Sequence, residues 1–514
     1  MKKWRTGILL LVGFLIMGIL AGCGQTERAA EPPAEIKVAL VFQPGNLDPA
    51  RSWNGWFIVK SGMGETLVRL NEEMKLEPWL AKSWRQIDEL SWEVELRENV
   101  KFHNGDPVDA QAVKASLERC LRLNERAPGL LKIRTITARD NKLIIQTTEP
   151  NPALPNYLAD PMTVVVNARE ANRMGDDFAL QPVLTGPYKL QDYQKDVHVV
   201  VEKNPHYWGT PPRLQRVTFK FVPDGMSRAM ALQSGDVQIA KGIPVADIPA
   251  ISETPGLRVL SNSSLRVHMI FLNLTRSPLD DLNVRRAINM AVNREALAED
   301  VMHGGAIAAV GPFPSVLPFG SASLAGYDYN PEQARELLEK AGWKMGKDNI
   351  REKDGEKLAL TLYTYKKRPE LPVIAEAVQA QLAEVGIAVK IQVVESVTKI
   401  LKSGDYDMAI YSINTAPTGD PYYFLNLVFR TGGPSNFNMF SNPEADKLID
   451  LLGESFDVNR RCELARKAQE VILAQAPAVF LVYPKITVGV SEKITGYTVH
   501  PSEFYLLQPE VGIK

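Results

Sequence analysis

Residues 374–393 read IAEAVQAQLAEVGIAVKIQV. Ile374, Val378 and Leu382 recur every four residues and make one apolar stripe along a helix. Gly386 ends that helix. Val389, Ile391 and Val393 then alternate with polar residues, the period of a half-buried strand. A helix running into a strand through a short turn is the repeating unit of an α/β protein, and this pattern sets the fold class of the second half of the chain.

Working outward, the same half carries well-marked helix starts. Asn330-Pro331 and Asn442-Pro443 each place a capping side chain before a proline at the first helical position. The Pro331 helix is expected to stop at Gly342, and Asn283 is expected to cap a helix over 284–292. Towards the N-terminus, 36–42 (IKVALVF), 92–96 (WEVEL), 143–147 and 198–201 read as strands. Asp109 is placed to cap a helix striped by Val113, Leu117 and Leu121. Residues 478–482 (AVFLV) read as a late buried strand. No internal repeat of 20–50 residues is visible, which argues against a solenoid.

The chain has 514 residues and a mass of 57.1 kDa, enough for two or three domains. Hydrophobic residues make up 45% and charged residues 23%, so general disorder, collagen and a polytopic membrane protein are excluded. Lys and Arg number 59 against 60 Asp and Glu, for a formal charge of −1, whereas a nucleic-acid partner would call for a basic excess.

The charge is not spread evenly. Lys2, Lys3 and Arg5 precede an apolar stretch from Gly7 to Leu20, and residues 1–22 hold no acid. That stretch is short for a bilayer span and reads as a secretory signal peptide. It ends in Leu20-Ala21-Gly22-Cys23, which resembles the lipobox of bacterial lipoproteins. The resemblance implies cleavage after Gly22 and lipid on Cys23, the alternative being an uncleaved anchor helix. Loss of the three cations takes the formal charge of the remainder from −1 to −4. Residues 23–35, polar and Pro-containing, read as a flexible tether. Cys120 and Cys462 then remain, each on a helical pattern, and are expected as free thiols.

Catalytic signatures are missing from the sequence. It has no P-loop, no H-E-x-x-H, no C-x-x-C and no G-x-S-x-G. The six histidines are scattered singly, and no metal site is expected from them. Asp280-Asp281 beside a helix start serve the helix dipole. What does stand out is the aromatic and polar run 411–424, YSINTAPTGDPYYF, after a strand-like 407–410. It reads as a loop at a strand end, where α/β sheets hold ligands, and Tyr411, Asn414 and Tyr422 are its candidate contacts. Arg430 and a Gly-rich stretch ending at Asn436 follow. Trp53 and Trp56 lie in another Gly- and Pro-bearing loop, placed to stack on a ligand or to close a core. Neither group forms a nucleophile–base set, so the reading is a binding protein rather than an enzyme.

The run Leu80-Ala81-Lys82-Ser83-Trp84, with Trp92, Leu96-Arg97 and 100–105 (VKFHNG), resembles the signature of the family 5 extracellular solute-binding proteins of peptide and nickel ABC importers. Residues 185–188 (TGPY), 204–209 (NPHYWG), 284–289 (VRRAIN) and 341–343 (AGW) agree in the family's order. The resemblance implies a two-lobed, periplasmic-binding-protein-like α/β fold (type II, cluster C) that closes on a solute. Lobe I is expected over 36–262 plus 482–514, with an extra subdomain at 71–180, and lobe II over 263–481. The signature, His103 included, would serve the subdomain and not the ligand. Implied partners are an ABC permease with its ATPase and the membrane, through a lipid anchor on the outer face of the bacterial cytoplasmic membrane. The receptor itself is expected to be a monomer with no resident cofactor.

The resemblance also bears on the ligand. Residues 42–68 resemble the segment lining the cleft of nickel-binding members, with Ser52 and Phe57 where those use Tyr and Met. Arg126 matches a cleft arginine, and a second one is replaced by Asp160 before Pro161. The 430–436 region has no His and is closer to metallophore binders, in which an arginine and an asparagine grip carboxylates. Pro417 stands near the place of the aspartate that holds a peptide amine. The expected site is therefore Arg126 and Arg430 on carboxylates, Asn436 adding an amide, and Trp53, Trp56, Tyr411, Asn414 and Tyr422 around the rest. Outer salt bridges or core packing are the other roles open to these residues. The solute would be a nickel or other metal chelate, an opine-like molecule or a short peptide. A secreted hydrolase on the same scaffold, or a peptide sensor without transport, are the alternatives.

Overall fold

The structure, a computed structural model, describes residues 34–514. The signal segment, Cys23 and all but the last two residues of the tether lie outside the described residues.

One twisted sheet organises the molecule. Its strands are β1 (Glu35–Leu40), β2 (Tyr188–Gln194), β3 (His198–Lys203), β4 (Arg216–Phe221), β5 (Ile239–Lys241), β6 (Leu257–Ser263), β7 (Arg266–Leu272), β8 (Ala306–Ala308), β9 (Ala359–Tyr365), β10 (Ala388–Val394), β11 (Met408–Asn414) and β12 (Ala478–Ser491). Their order is β10-β9-β11-β7-β12-β5-β1-β4-β3-β2, with β6 and β8 also paired to β12. The long strand β12 changes partners along its length. Its first part pairs with β7 and β8, and its second part, from Lys485, with β6 and β5. The expected strand over 478–482 thus runs on to Ser491, because a second set of edges takes up its N–H and C=O groups where the first set ends.

The helix–strand unit read from 374–393 is present. The helix spans Glu370–Glu384, buries Ile374, Val378 and Leu382, and gives way at Gly386, whose φ of +88° suits glycine. β9, β10 and β11 are parallel, as a helical crossover requires. Asn330 and Asn442 cap the helices Pro331–Lys340 and Pro443–Glu454 with their side-chain oxygens. The helix expected after Asn283 begins at Leu282, because Asp281 caps it by accepting from the Asn283 N–H.

A separate body holds the signature stretch. Strands Ala81–Asp88, Ser91–Leu96, Lys142–Thr147 and Ile133–Arg139 form an antiparallel sheet in that spatial order. The helix Ala110–Leu123, capped by Asp109, buries Val113, Leu117 and Cys120 in that body's own apolar core. His103 is structural here, its ring nitrogen 3.0 Å from the Gly186 carbonyl. Cys120 is buried, Cys462 is half-buried, and both are free; burial pushes the Cys120 thiol up to about 12. No helix among the described residues is long and apolar enough to cross a membrane.

Candidate functional site

The strand-like segment read as 407–410 extends to Asn414, because β11 pairs with β7 over its whole length, from Leu272↔Met408 to Arg266↔Asn414. The loop proper is therefore 415–421. Tyr411 lies on the strand and packs its ring 6.1 Å from Phe271 and 6.4 Å from Tyr365. Asn414 ends the strand, buried, and neither atom of its amide has a protein partner.

Trp53, Trp56 and Arg126 come together. The Arg126 guanidinium sits 3.7 Å over the Trp53 ring, and Trp53 meets Trp56 edge to face at 5.5 Å. Trp56 in turn meets Phe504 at 4.7 Å, and its buried Nε1–H has no partner. Arg126 is engaged on its own side. Both terminal nitrogens donate to the Asp160 carboxylate at 3.1 Å, so the residue standing in for a second arginine forms the first one's ion pair.

The remaining predicted residues sit elsewhere. Tyr422 begins the helix Tyr422–Val428, with the Lys132 ammonium 5.6 Å from its ring. Arg430 is 42% exposed and pairs with Asp450 at 2.8 Å. The Asn436 amide is spent within its loop, donating to the Arg430 and Phe440 carbonyls and accepting from the Phe440 N–H. The structure thus places Trp53, Trp56 and Arg126 in one group and Tyr411 and Asn414 on one strand. It seats Arg430 and Asn436 in an outer loop.

A group of half-buried charges lies at one end of the large sheet. β5 ends there at Lys241 and β9 at Tyr365, followed by Arg368 and Glu370, while β7 begins there at Arg266. Lys60 closes the helix Gly55–Lys60, and Glu503 comes from the C-terminal segment. Antiparallel register sets Arg266 opposite Asn414 and His268 opposite Ser412, and the period of two puts these four on one face. Arg266 donates through Nε to Glu503 at 3.0 Å and through Nη1 to the Ser412 carbonyl at 3.1 Å. Glu370 lies 3.2 Å from His268 Nε2 and 4.0 Å from Arg368. Among the described residues, Lys60 and Lys241 have no carboxylate within ion-pair distance.

Four cationic side chains (Lys60, Lys241, Arg266, Arg368) thus meet two carboxylates (Glu370, Glu503). The excess positive charge shifts the protonation equilibria of the cluster. Burial first, then the charge of Lys241, holds the Lys60 amine down to about 7. Lys241 and Arg368 are lowered too, by burial first and then by the nearby Arg266 charge. Burial pushes the Glu503 carboxyl up, but Arg266, Lys241 and Arg368 outweigh it and hold Glu503 well below the usual carboxylate range. Beside this cluster, the buried Thr364 and Ser412 hydroxyls, the Asn414 amide and His268 Nδ1 have no hydrogen bond among the described residues. An unsatisfied buried polar group costs about 1–3 kcal/mol, so such a concentration makes this the candidate ligand site.

Residues 75–436 match the family described as Bacterial extracellular solute-binding proteins, family 5 Middle. The chain belongs to that family. The glutathione-binding protein GsiB of Pectobacterium atrosepticum is 30% identical over 85% of this chain and 86% of its own. The structure of NikA from Staphylococcus aureus in complex with Ni(L-His)2 is 28% identical and superposes with a TM-score of 0.80, covering 94% of this chain and all of that one. NikA from Brucella suis in complex with Fe(III)-EDTA is 26% identical, with a TM-score of 0.86 over 93% of this chain and all of that one. The fold is thus the two-lobed α/β fold of these binding proteins.

In this family 5 protein, sequence reasoning missed Lys60, Lys241, Arg266, His268, Arg368 and Glu503. A signal for some of them was present. Lys60 closes the apolar run 55–60 (GWFIVK), and Arg266 and His268 interrupt 266–272 (RVHMIFL). An ionisable side chain inside a buried strand or helix is costly and marks a site more reliably than an exposed aromatic loop.

Proposed function

We propose that this chain is the solute receptor of an ABC importer and that its solute carries at least two carboxylates. The observation that carries the reading is the cluster at the sheet end. Lys60 and Lys241 without carboxylate partners, beside Arg368 and the orphaned groups of Trp56, Thr364, Ser412 and Asn414, suit an anion with several oxygens. The relatives' cargoes support it, since glutathione, a bis-histidine nickel complex and iron–EDTA all present two or more carboxylates. A metal inside such a chelate would keep its own donors, and the protein would grip the carboxylates around it.

The reading includes two lobes, 36–262 with 482–514 and 263–481, joined where β6 passes to β7 and where β12 changes partners, with 71–180 as the extra subdomain. The solute would lie between the lobes. Trp53, Trp56, Tyr411 and Asn414 fit its apolar and amide-bearing parts, with Arg126 stacked on Trp53 beside them, and Tyr422 lies outside this central group. The Leu20–Cys23 lipobox supports a lipid anchor, and with it a place on the outer face of the cytoplasmic membrane beside a permease and its ATPase. The test is calorimetric titration of the mature protein with bis-histidine nickel, glutathione and trilysine. Binding of one or both carboxylate-rich solutes, weakened at least ten-fold in Arg368→Gln, is expected. Binding of trilysine alone would overturn the reading.

A further inference from the structure

A cavity of about 200 Å3 lies between the Val68–Pro78 hairpin, residues 187–210 and the C-terminal segment 507–510. None of its lining residues belongs to the cationic cluster. Two stacked pairs form its walls. The Arg69 guanidinium lies 5.7 Å from the centre of the Trp79 ring, and that of Arg97 lies 4.9 Å from the centre of Trp208. Each arginine is held by its Nε alone, Arg69 donating to Glu77 and Arg97 to the Trp79 carbonyl, both at 2.6 Å. Among the described residues, the four terminal guanidinium nitrogens of this pair have no hydrogen bond to protein.

The aromatic wall is fixed from behind. Glu65, fully buried, accepts from the Tyr207 hydroxyl at 2.8 Å and from the Trp208 Nε1–H at 3.2 Å. Its two oxygens thereby set the planes of adjacent rings, 5.4 Å apart. Glu77 balances Arg69, whereas Arg97 has no carboxylate within ion-pair distance among the described residues; Glu510 lines the cavity but is exposed to water, which screens it.

We propose that this cavity is a second binding site, for a small monocarboxylate with a flat apolar body. A guanidinium edge presents two parallel donors to a carboxylate, and Trp79, Tyr207 and Trp208 offer faces and edges to a planar ring. A cavity of about 200 Å3 has room for one ring and its carboxylate. Arg97, held only by its Nε on a carbonyl, is the cation left for a monoanion here, unlike the several cations at the sheet end.

The experiment titrates the mature chain with benzoate, followed by saturation-transfer NMR and calorimetry. Wild type is expected to bind benzoate, Arg97→Gln at least ten-fold more weakly, and Arg368→Gln as wild type. Inorganic phosphate at the same concentration is expected not to displace it. Should Arg97→Gln fail to fold, as judged by thermal melting, Arg69→Gln on the opposite wall carries the same expected loss. No benzoate binding at millimolar concentration, wild-type affinity in both the Arg97 and Arg69 variants, displacement by phosphate, or loss in Arg368→Gln would each overturn the proposal. The last outcome would place benzoate at the sheet end and leave the solute-receptor reading standing.

Discussion

Burial beside Lys241 holds the Lys60 amine near 7, with Glu503 and Arg266 completing the charges around it. The consequence has a definite sign. Below pH 7 the amine is protonated in the free protein and attracts an anion; above 7 it is neutral and does not. Affinity for a carboxylate-rich solute is therefore expected to fall as pH rises from 6 to 8. Binding is expected to take up protons near pH 7, because an anion beside the amine raises its pKa. Calorimetry in buffers of different ionisation enthalpy measures this uptake, and Lys60→Met is expected to abolish it. For folding, the unfolded chain holds this proton up to 10.5 and the native one only to about 7, so the group's contribution to stability rises with pH between those values. At the same scale, Arg126 and Arg430 were legible as arginines but not by partner. Asp160 and Asp450 lie 34 and 20 residues away along the chain, and only the fold makes them ion pairs.

At the level of elements, the sequence is legible wherever one face is buried and the ends are marked. The helix Glu370–Glu384 has a regular apolar stripe and a glycine beyond its end, and Asn330, Asn442 and Asp109 cap where expected. The end of β11 was not legible, since Tyr411-Ser412-Ile413-Asn414 mixes aromatic and polar residues in the manner of a loop. Its strand conformation comes from the ladder with β7, a tertiary term that no local pattern carries. The short helix Gly55–Lys60 presents Trp56 and Lys60 through one close approach. A Cβ on Gly55 would lie 2.1 Å from the Pro161 carbonyl oxygen, a backbone atom with no side chain to yield. Gly55→Ala is expected to push the helix off this neighbour, lowering stability by about 2 kcal/mol and weakening solute binding with it. Urea denaturation with an unchanged midpoint would contradict this.

Over the whole molecule, the family-wide motifs made the architecture legible, but the proposed solute seat was not, because it draws on distant segments. Lys60, Lys241, Arg266, Arg368 and Glu503 span most of the chain and meet at the end of one sheet, near the point where β12 exchanges partners. Other long-range contacts bring the subdomain to the far half of the chain. Asn156 donates to the Thr418 carbonyl at 2.8 Å, and Trp92 lies 6.1 Å from Phe456. A solute bridging the cations would add contacts between segments far apart in the chain, the kind of differential contact that shifts a conformational equilibrium. The central claim is that the cargo is an anion held by this cluster. Native mass spectrometry of the protein purified with its cargo tests it most directly. The account predicts a co-purifying small molecule with two or more carboxylates, absent from the Lys241→Met/Arg368→Gln double variant. A neutral or cationic cargo, or an anionic one retained by the double variant, would contradict it.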